Sequence, residues 1–189
     1  MDTKIENFTL KELKKGKFIA PKLATYTQDG IDKTWEIVEV NDSVAILIFD
    51  KSKEKFILVK QFRPALFPKD GKGITLELCA GIVDKDLTLA EIASEEVFEE
   101  CGYKVAPESL KKINSFYTAV GFAASHQSLF YVEVDESMKI SQGGGIDAEK
   151  IEIVEVDKAR AKEIIFDDSI AKTPGLCFAF SWWFFSRDD

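Results

Sequence analysis

The chain has 189 residues, a net charge of −8, 46% apolar and 12% aromatic residues, which is enough for one domain with a full core and too apolar for general disorder. Its acidity argues against broad non-specific contact with nucleic acid or anionic membrane, so phosphate chemistry would need a local cluster of Lys, Arg or metal. Cys79, Cys101 and Cys177 stand far apart in apolar contexts and His126 is the only histidine. That points to buried reduced thiols in a cytoplasmic protein and away from a zinc site.

Residues 1–17 are polar and lysine-rich and lack the apolar core of a signal peptide, so an arm or short helix is expected there. Phe18 to Gln28 can be extended, Asp29-Gly30 is a turn signal, and Thr34 to Val40 roughly alternates, which predicts two strands paired across the turn. Asn41-Asp42 breaks the pattern. Val44 to Phe49 is a continuous apolar run suited to a strand covered on both faces, and Phe56 to Phe62 is its expected hairpin partner. Two prolines and two glycines make 64–73 a loop. Ile74 to Cys79 alternates as one strand and leads into Ala80-Gly81 and a helix, a junction where chemistry often collects.

The stretch from Gly81 to Tyr103 holds five glutamates in ten residues (Glu91, Glu95, Glu96, Glu99, Glu100), with no Lys or Arg between Lys85 and Lys104. Thr88-Leu-Ala-Glu91 fits a capping box, and Gly102 suits the left-handed position past the last turn. Ala90, Ala93, Val97 and Cys101 share a narrow arc, the expected buried face; Glu96 and Glu100 flank it one turn apart. Glu99 lies about 60° from Glu96 on the far side. Like charges one turn apart destabilise a helix by roughly 0.2–0.5 kcal/mol per pair. The macrodipole also disfavours anions at its C-terminal end. A bound hard cation would relieve both, and a solvated acidic face is the alternative.

Downstream, Leu110 to Ala119 and Gln127 to Val134 are expected strands separated by a small-residue loop. Gly143–Gly145 marks a flexible loop, Ile151 to Val156 a strand, and Asp157 caps a helix running to about Phe166. Pro174-Gly175 opens a final helix over 176–186. It is apolar nearly all round, so it belongs in a core or subunit interface, and it is too short to span a bilayer. The sum is an α/β fold with a mixed sheet sandwiched between helices.

Gly81, Glu96, Glu99, Glu100, Gly102 and Tyr103 sit at the spacing of the Nudix box, G-x5-E-x7-R-E-U-x-E-E-x-G-U, where U is bulky and apolar and Val97 fills the internal U. Leu87 and Glu95 depart from it, standing where the family has a Glu and an Arg that pair to buttress the loop against the helix. The family's support is therefore expected to be missing here. Asn41-Asp42-Ser43-Val44, Val59-Lys-Gln-Phe-Arg-Pro64, Glu77-Leu-Cys-Ala-Gly-Ile-Val-Asp84 and the triple glycine resemble the UDP-sugar diphosphatase branch of the ADP-ribose pyrophosphatase group, and the two departures resemble that branch too.

The resemblance implies a Nudix fold over 41–189, preceded by an arm and small antiparallel sheet over 1–40 that pairs two copies into a homodimer. It implies Mg²⁺-dependent (or Mn²⁺-dependent) hydrolysis of a nucleoside diphosphate sugar in the cytoplasm. UDP-glucose giving UMP and glucose 1-phosphate is the first choice, and ADP-ribose giving AMP and ribose 5-phosphate the second. A catalytically silent nucleotide-sugar sensor is the alternative of another class, and a structural dimer module a third. Neither nucleic acid nor a membrane is an expected partner. By position, Glu96, Glu100 and the Ala80 carbonyl are implied metal ligands, and Glu99 a ligand or a group orienting one. Glu149 is a ligand or base, with Asp147 the alternative, and the glycine run lets their loop close over substrate. Arg63 is read as a phosphate or sugar ligand against a surface ion pair. Glu77 contacts substrate or faces solvent. Tyr26 and Trp35 stack the base or simply pack. His126 is expected as a loop residue or a substrate hydrogen-bond donor.

Overall fold

Along β3 (Ser43–Asp50), Val44, Ile46 and Ile48 alternate with Ala45, Leu47 and Phe49, and all six are buried. The first three pack with Ile92, Ala93, Val97 and Cys101 of the glutamate helix, and the second three with Leu176, Ala179, Phe180 and Trp183 of the last helix. A strand with apolar residues on both faces needs cover on both, and here it has it. The computed structural model describes residues 1, 3–14, 16–146 and 149–186. Among them are nine strands and four α-helices: β1 (Ala20–Gln28), β2 (Ile31–Glu39), β3, β4 (Lys55–Phe62), α1 (Phe67–Asp70), β5 (Ile74–Glu77), β6 (Cys79–Ile82), α2 (Leu89–Cys101), β7 (Lys111–Thr118), β8 (Ser125–Val134), β9 (Ile151–Asp157), α3 (Lys158–Phe166) and α4 (Pro174–Phe185).

Seven strands form a mixed sheet in the path β5-β4-β3-β8-β7, with β6 on β3 and β9 on β4. β3 and β8 run parallel; the other pairings are antiparallel. The expected hairpin of 44–62 forms only at its turn. β3 meets β4 through Ile48↔Ile57, Phe49↔Phe56 and Asp50↔Lys55, and then the two separate. The expected single strand 74–79 divides at Leu78, because the open fork offers two edges. β5 pairs with β4 through Val59↔Glu77 to Phe62↔Ile74, and β6 pairs with β3 through Ile46↔Cys79 to Ser43↔Ile82. Alternation reads the pleat but not the change of partner.

β1 and β2 form a separate two-stranded sheet, with Gln28↔Ile31 across the Asp29-Gly30 turn. It leans on the loop between β7 and β8, where Val38 N–H donates to the Phe122 carbonyl at 2.7 Å and Trp35 Nε1 donates to the Gly121 carbonyl at 2.7 Å. The N-terminal arm carries no helix among its described residues, yet it is docked. The Met1 ammonium pairs with Glu152 at 2.5 Å, and Phe8 rests on Phe67 with centroids 4.9 Å apart. The expected 64–73 loop contains only the single turn of α1. Among the described residues no helix is long and apolar enough to cross a membrane.

Candidate functional site

The helix bearing the glutamates begins as its sequence predicts. Thr88 Oγ1 accepts from Glu91 N–H, the Glu91 carboxylate accepts from Thr88 N–H at 2.8 Å, and Gly102 closes the far end at φ 76°. Val97, Ala93 and Cys101 are buried against the sheet, which turns Glu96 and Glu100 toward β6. Glu96 lies directly across the Cα of Gly81, where any Cβ would collide with its carboxylate. A side chain at Gly81 would push the Glu96 carboxylate off the strand, and glycine allows the close approach.

Glu100 is 4% exposed, and its Oε2 accepts the Ala80 N–H at 3.1 Å. In an antiparallel pair the N–H and C=O of one residue leave the same edge, so the Ala80 carbonyl lies on the Glu100 side as well. Burial, followed by repulsion from Glu99, pushes the Glu96 carboxyl from 4.5 up to about 7. Burial pushes Glu100 to about 8, against the opposing hydrogen bonds from Ala80 and the Cys79 thiol. Repulsion from Glu149 adds to both, which brings that loop glutamate into the same electrostatic neighbourhood. Glu99 is half-buried beside Glu96. Asp147 lies outside the described residues.

Arg63, just past the end of β4, is neither a free ligand nor a simple surface pair. Its Nε donates to Glu77 Oε1 at 2.8 Å and its Nη2 to Oε2 at 2.6 Å, a bidentate grip in which the arginine side chain remains 46% exposed and the glutamate 8%. Thr75 Oγ1 donates to the same carboxylate. Glu77 is therefore buried rather than solvent-facing, and its contacts fix the guanidinium. The hydrogen bonds to Glu77 do most to hold Arg63 charged, and Glu100 and Glu149 add to that field, so the cation lies within electrostatic reach of the acidic cluster.

Tyr26 and Trp35 share one face of the small sheet and are 43% and 56% exposed. Among the described residues no hydrogen bond or ring contact joins them to the glutamates. His126 is not in a loop: it is the second residue of β8, its N–H donates to Asp42 Oδ1 at 2.8 Å, and its ring leans on Tyr117.

The missing buttress needs correction. Lys85 Nζ pairs with Glu95 Oε2 at 2.5 Å, tying the loop before α2 to the helix with the polarity reversed and the loop partner moved two residues from Leu87. Lys85 is the last cation before the acidic run, the one signal that could have revealed it. The pair is half-exposed, so its contribution is modest, about 0.5–1 kcal/mol. Lys139 was also missed. Its ammonium donates to the Cys101 carbonyl at 2.6 Å and lies over the Tyr103 ring, placing a positive charge at the acidic C-terminal end of α2. Its distance in sequence concealed it.

No three His, Cys, Asp or Glu side chains among the described residues stand together as a ready ligand set. The donor chemistry nevertheless suits a hard divalent ion: two carboxyls whose charge burial and mutual repulsion oppose, a third beside them, and a carbonyl on the same side.

A family model described as the NUDIX domain matches residues 40–172. The chain is 35% identical to the uridine diphosphate glucose pyrophosphatase NUDT14 of Bos taurus over 96% of this chain and 95% of that one. It is 34% identical to the Mus musculus protein of the same name over 88% of each. Similarity to the GDP-mannose pyrophosphatase of Cronobacter sakazakii is 31% over 68% of this chain and 66% of that one.

Two measurements check this geometry. In a cycle of Lys85→Met, Glu95→Gln and the double variant, urea unfolding should show a coupling of about 0.5–1 kcal/mol; strict additivity would mean other contacts hold the loop. The second concerns pH without metal. Between about pH 4.5 and the raised values near 7 and 8, folded Glu96 and Glu100 hold more protons than the unfolded chain does. Their stabilising contribution is complete below the unfolded value and is lost as pH rises through the folded ones. Tm in EDTA should therefore fall from pH 5 to 8.5, and the fall should be much smaller in a Glu96→Gln, Glu100→Gln double variant. Equal slopes in the two proteins would contradict the assignment.

Proposed function

The chain belongs to the Nudix family, and on that footing we propose that it hydrolyses the diphosphate bridge of a nucleoside diphosphate sugar, with UDP-glucose as the preferred substrate. The observation that carries this reading is the opposition of one fixed cation, Arg63, to a cluster of carboxyls on α2 and the loop before β9. A diphosphate is repelled by carboxylates alone and needs cations on its oxygens. The near full-length similarity to proteins named for UDP-glucose supports uridine over the shorter match to proteins named for GDP-mannose.

Glu96, Glu100, the Ala80 carbonyl and Glu99 would hold the divalent cation, Mg²⁺ or Mn²⁺. When bound, such an ion neutralises phosphate charge and makes water more acidic. Arg63, held in orientation by Glu77 and Thr75, grips a phosphate oxygen or the sugar. Glu149 takes the proton of the attacking water. The water oxygen bonds to one phosphorus, the bridging P–O bond breaks, and UMP and glucose 1-phosphate leave. Asp147 stands as the alternative base.

We place the active form as a homodimer joined through residues 1–40. Leu23, Ile31 and Trp35 of the small sheet are each more than half exposed, as are Val120 and Phe122 in the loop beneath it. A second copy covering this surface would also bring Tyr26 and Trp35 to a site as stacking platforms for the base.

The test is hydrolysis of UDP-glucose, UDP-galactose, GDP-mannose and ADP-ribose with Mg²⁺, identifying products. UDP-glucose should have the highest kcat/KM; inertness toward all four with binding intact would identify a sensor instead. In the same assay Arg63→Ala should raise KM for UDP-glucose by about ten- to a hundredfold, in line with the roughly 1.5–3 kcal/mol of a charge-assisted hydrogen bond. An unchanged KM would return Arg63 to a structural role.

A further inference from the structure

An α-helix leaves its last four carbonyls without partners in its own ladder. In α2 these belong to Phe98, Glu99, Glu100 and Cys101, and each accepts a hydrogen bond. The donors are Gly102 N–H at 2.9 Å, Gly145 N–H at 3.1 Å, Gly144 N–H at 2.8 Å and the Lys139 ammonium at 2.6 Å, in that order. Two of the four come from the triple glycine, more than 40 residues further along the chain.

Gly143, Gly144 and Gly145 have φ of 65°, 107° and 89°, a run of conformations that other residues rarely adopt. A Cβ on Gly143 would overlap the Glu100 carbonyl oxygen, and one on Gly145 would stand 2.8 Å from the Glu149 Cβ. The Gly144 carbonyl in turn accepts from Ile151 N–H at 3.1 Å, at the first residue of β9. Gly144 is thus bonded to α2 on one side and to β9 on the other, with Glu149 in the chain between. A free run of three glycines would be a slack tether. Here hydrogen bonding to the helix end removes that slack, while the missing side chains allow the approach.

We propose that Gly143–Gly145 is a positioning element, clamping the loop that bears Glu149 onto the end of the helix that bears Glu96 and Glu100. The two sets of carboxylates then keep one mutual geometry. This rests on the reading above that Glu149 acts at the site. Displacing a reacting group by about 1 Å can cost on the order of a hundredfold in rate, so an anchor of this kind should be visible in turnover.

The experiment compares wild type, Gly143→Ala, Glu149→Gln and the double variant with UDP-glucose and Mg²⁺. Gly143→Ala should lower kcat by roughly ten- to a hundredfold while KM stays within about twofold. The double variant should be no slower than Glu149→Gln alone, because the anchor acts through that carboxylate. Multiplying losses would overturn the proposal, since the glycine would then be a general support. Wild-type turnover by Glu149→Gln would remove the role of Glu149 itself, whereas a crippled Glu149→Gln beside an undiminished Gly143→Ala would remove only the anchor. If Gly143→Ala does not fold, amide exchange in the wild-type protein decides. Gly144 and Gly145 N–H should exchange as slowly as the last turn of α2, and exchange at the rate of an exposed loop would overturn the anchor.

Discussion

Two carboxyl groups one helical turn apart, pressed against a strand, set the terms for this molecule. Burial is the main penalty on the charge of Glu96 and Glu100, in the half of α2 where the macrodipole also opposes it. The neighbouring features answer that concentration of charge. Gly81 gives up a side chain so that Glu96 can lie across the strand, the Ala80 N–H and the Cys79 thiol donate toward Glu100, and Lys139 meets the carbonyl end of the helix. The Ala80 and Cys79 hydrogen bonds at Glu100, and the charge of Lys85 near Glu96, lower the cost without removing it, since both carboxyls still titrate well above an ordinary glutamate. What they leave is an affinity for positive charge.

The fork between β3 and β4 gives this helix end a place to face. Because the two strands pair over only three residues, the chain can cross between them at Leu78, lending β5 to one and β6 to the other. Glu77 at the end of β5 then fixes Arg63, while Cys79, Ala80 and Gly81 on β6 receive α2. Only two residues, Leu78 and Cys79, separate the buried partner of the guanidinium from the backbone amide that meets Glu100. Cation and carboxyls therefore share a rigid base, as a site built on sheet edges should.

Much of this was legible in the residues. The apolar run of β3, the capping box at Thr88, the left-handed Gly102 and the Asp157 cap are local rules with local causes, and each stands where the pattern put it. The box glutamates were legible because their spacing is long and chemically explicit. What escaped depends on partners remote in sequence. The split of 74–79 follows from which strand edge lies open, and the Lys85–Glu95 pair reverses the family's polarity, so a search for the usual pair finds nothing. Gly143–Gly145 read as slack because glycine composition is the same in a hinge and in a tight anchor. Only the hydrogen bonds to Glu99 and Glu100 tell the two apart.

We propose that the buried carboxyls of α2 are held ready for a divalent cation. Titration calorimetry of the metal-free protein with Mn²⁺, run in two buffers of different ionisation enthalpy at pH 7, tests it most directly. Binding should be coupled to net proton release, because an ion that takes Glu96 and Glu100 must displace protons they hold near that pH, and both the binding and the proton release should be lost in Glu100→Gln. Unchanged Mn²⁺ affinity in Glu100→Gln, or binding with no proton release, would contradict it.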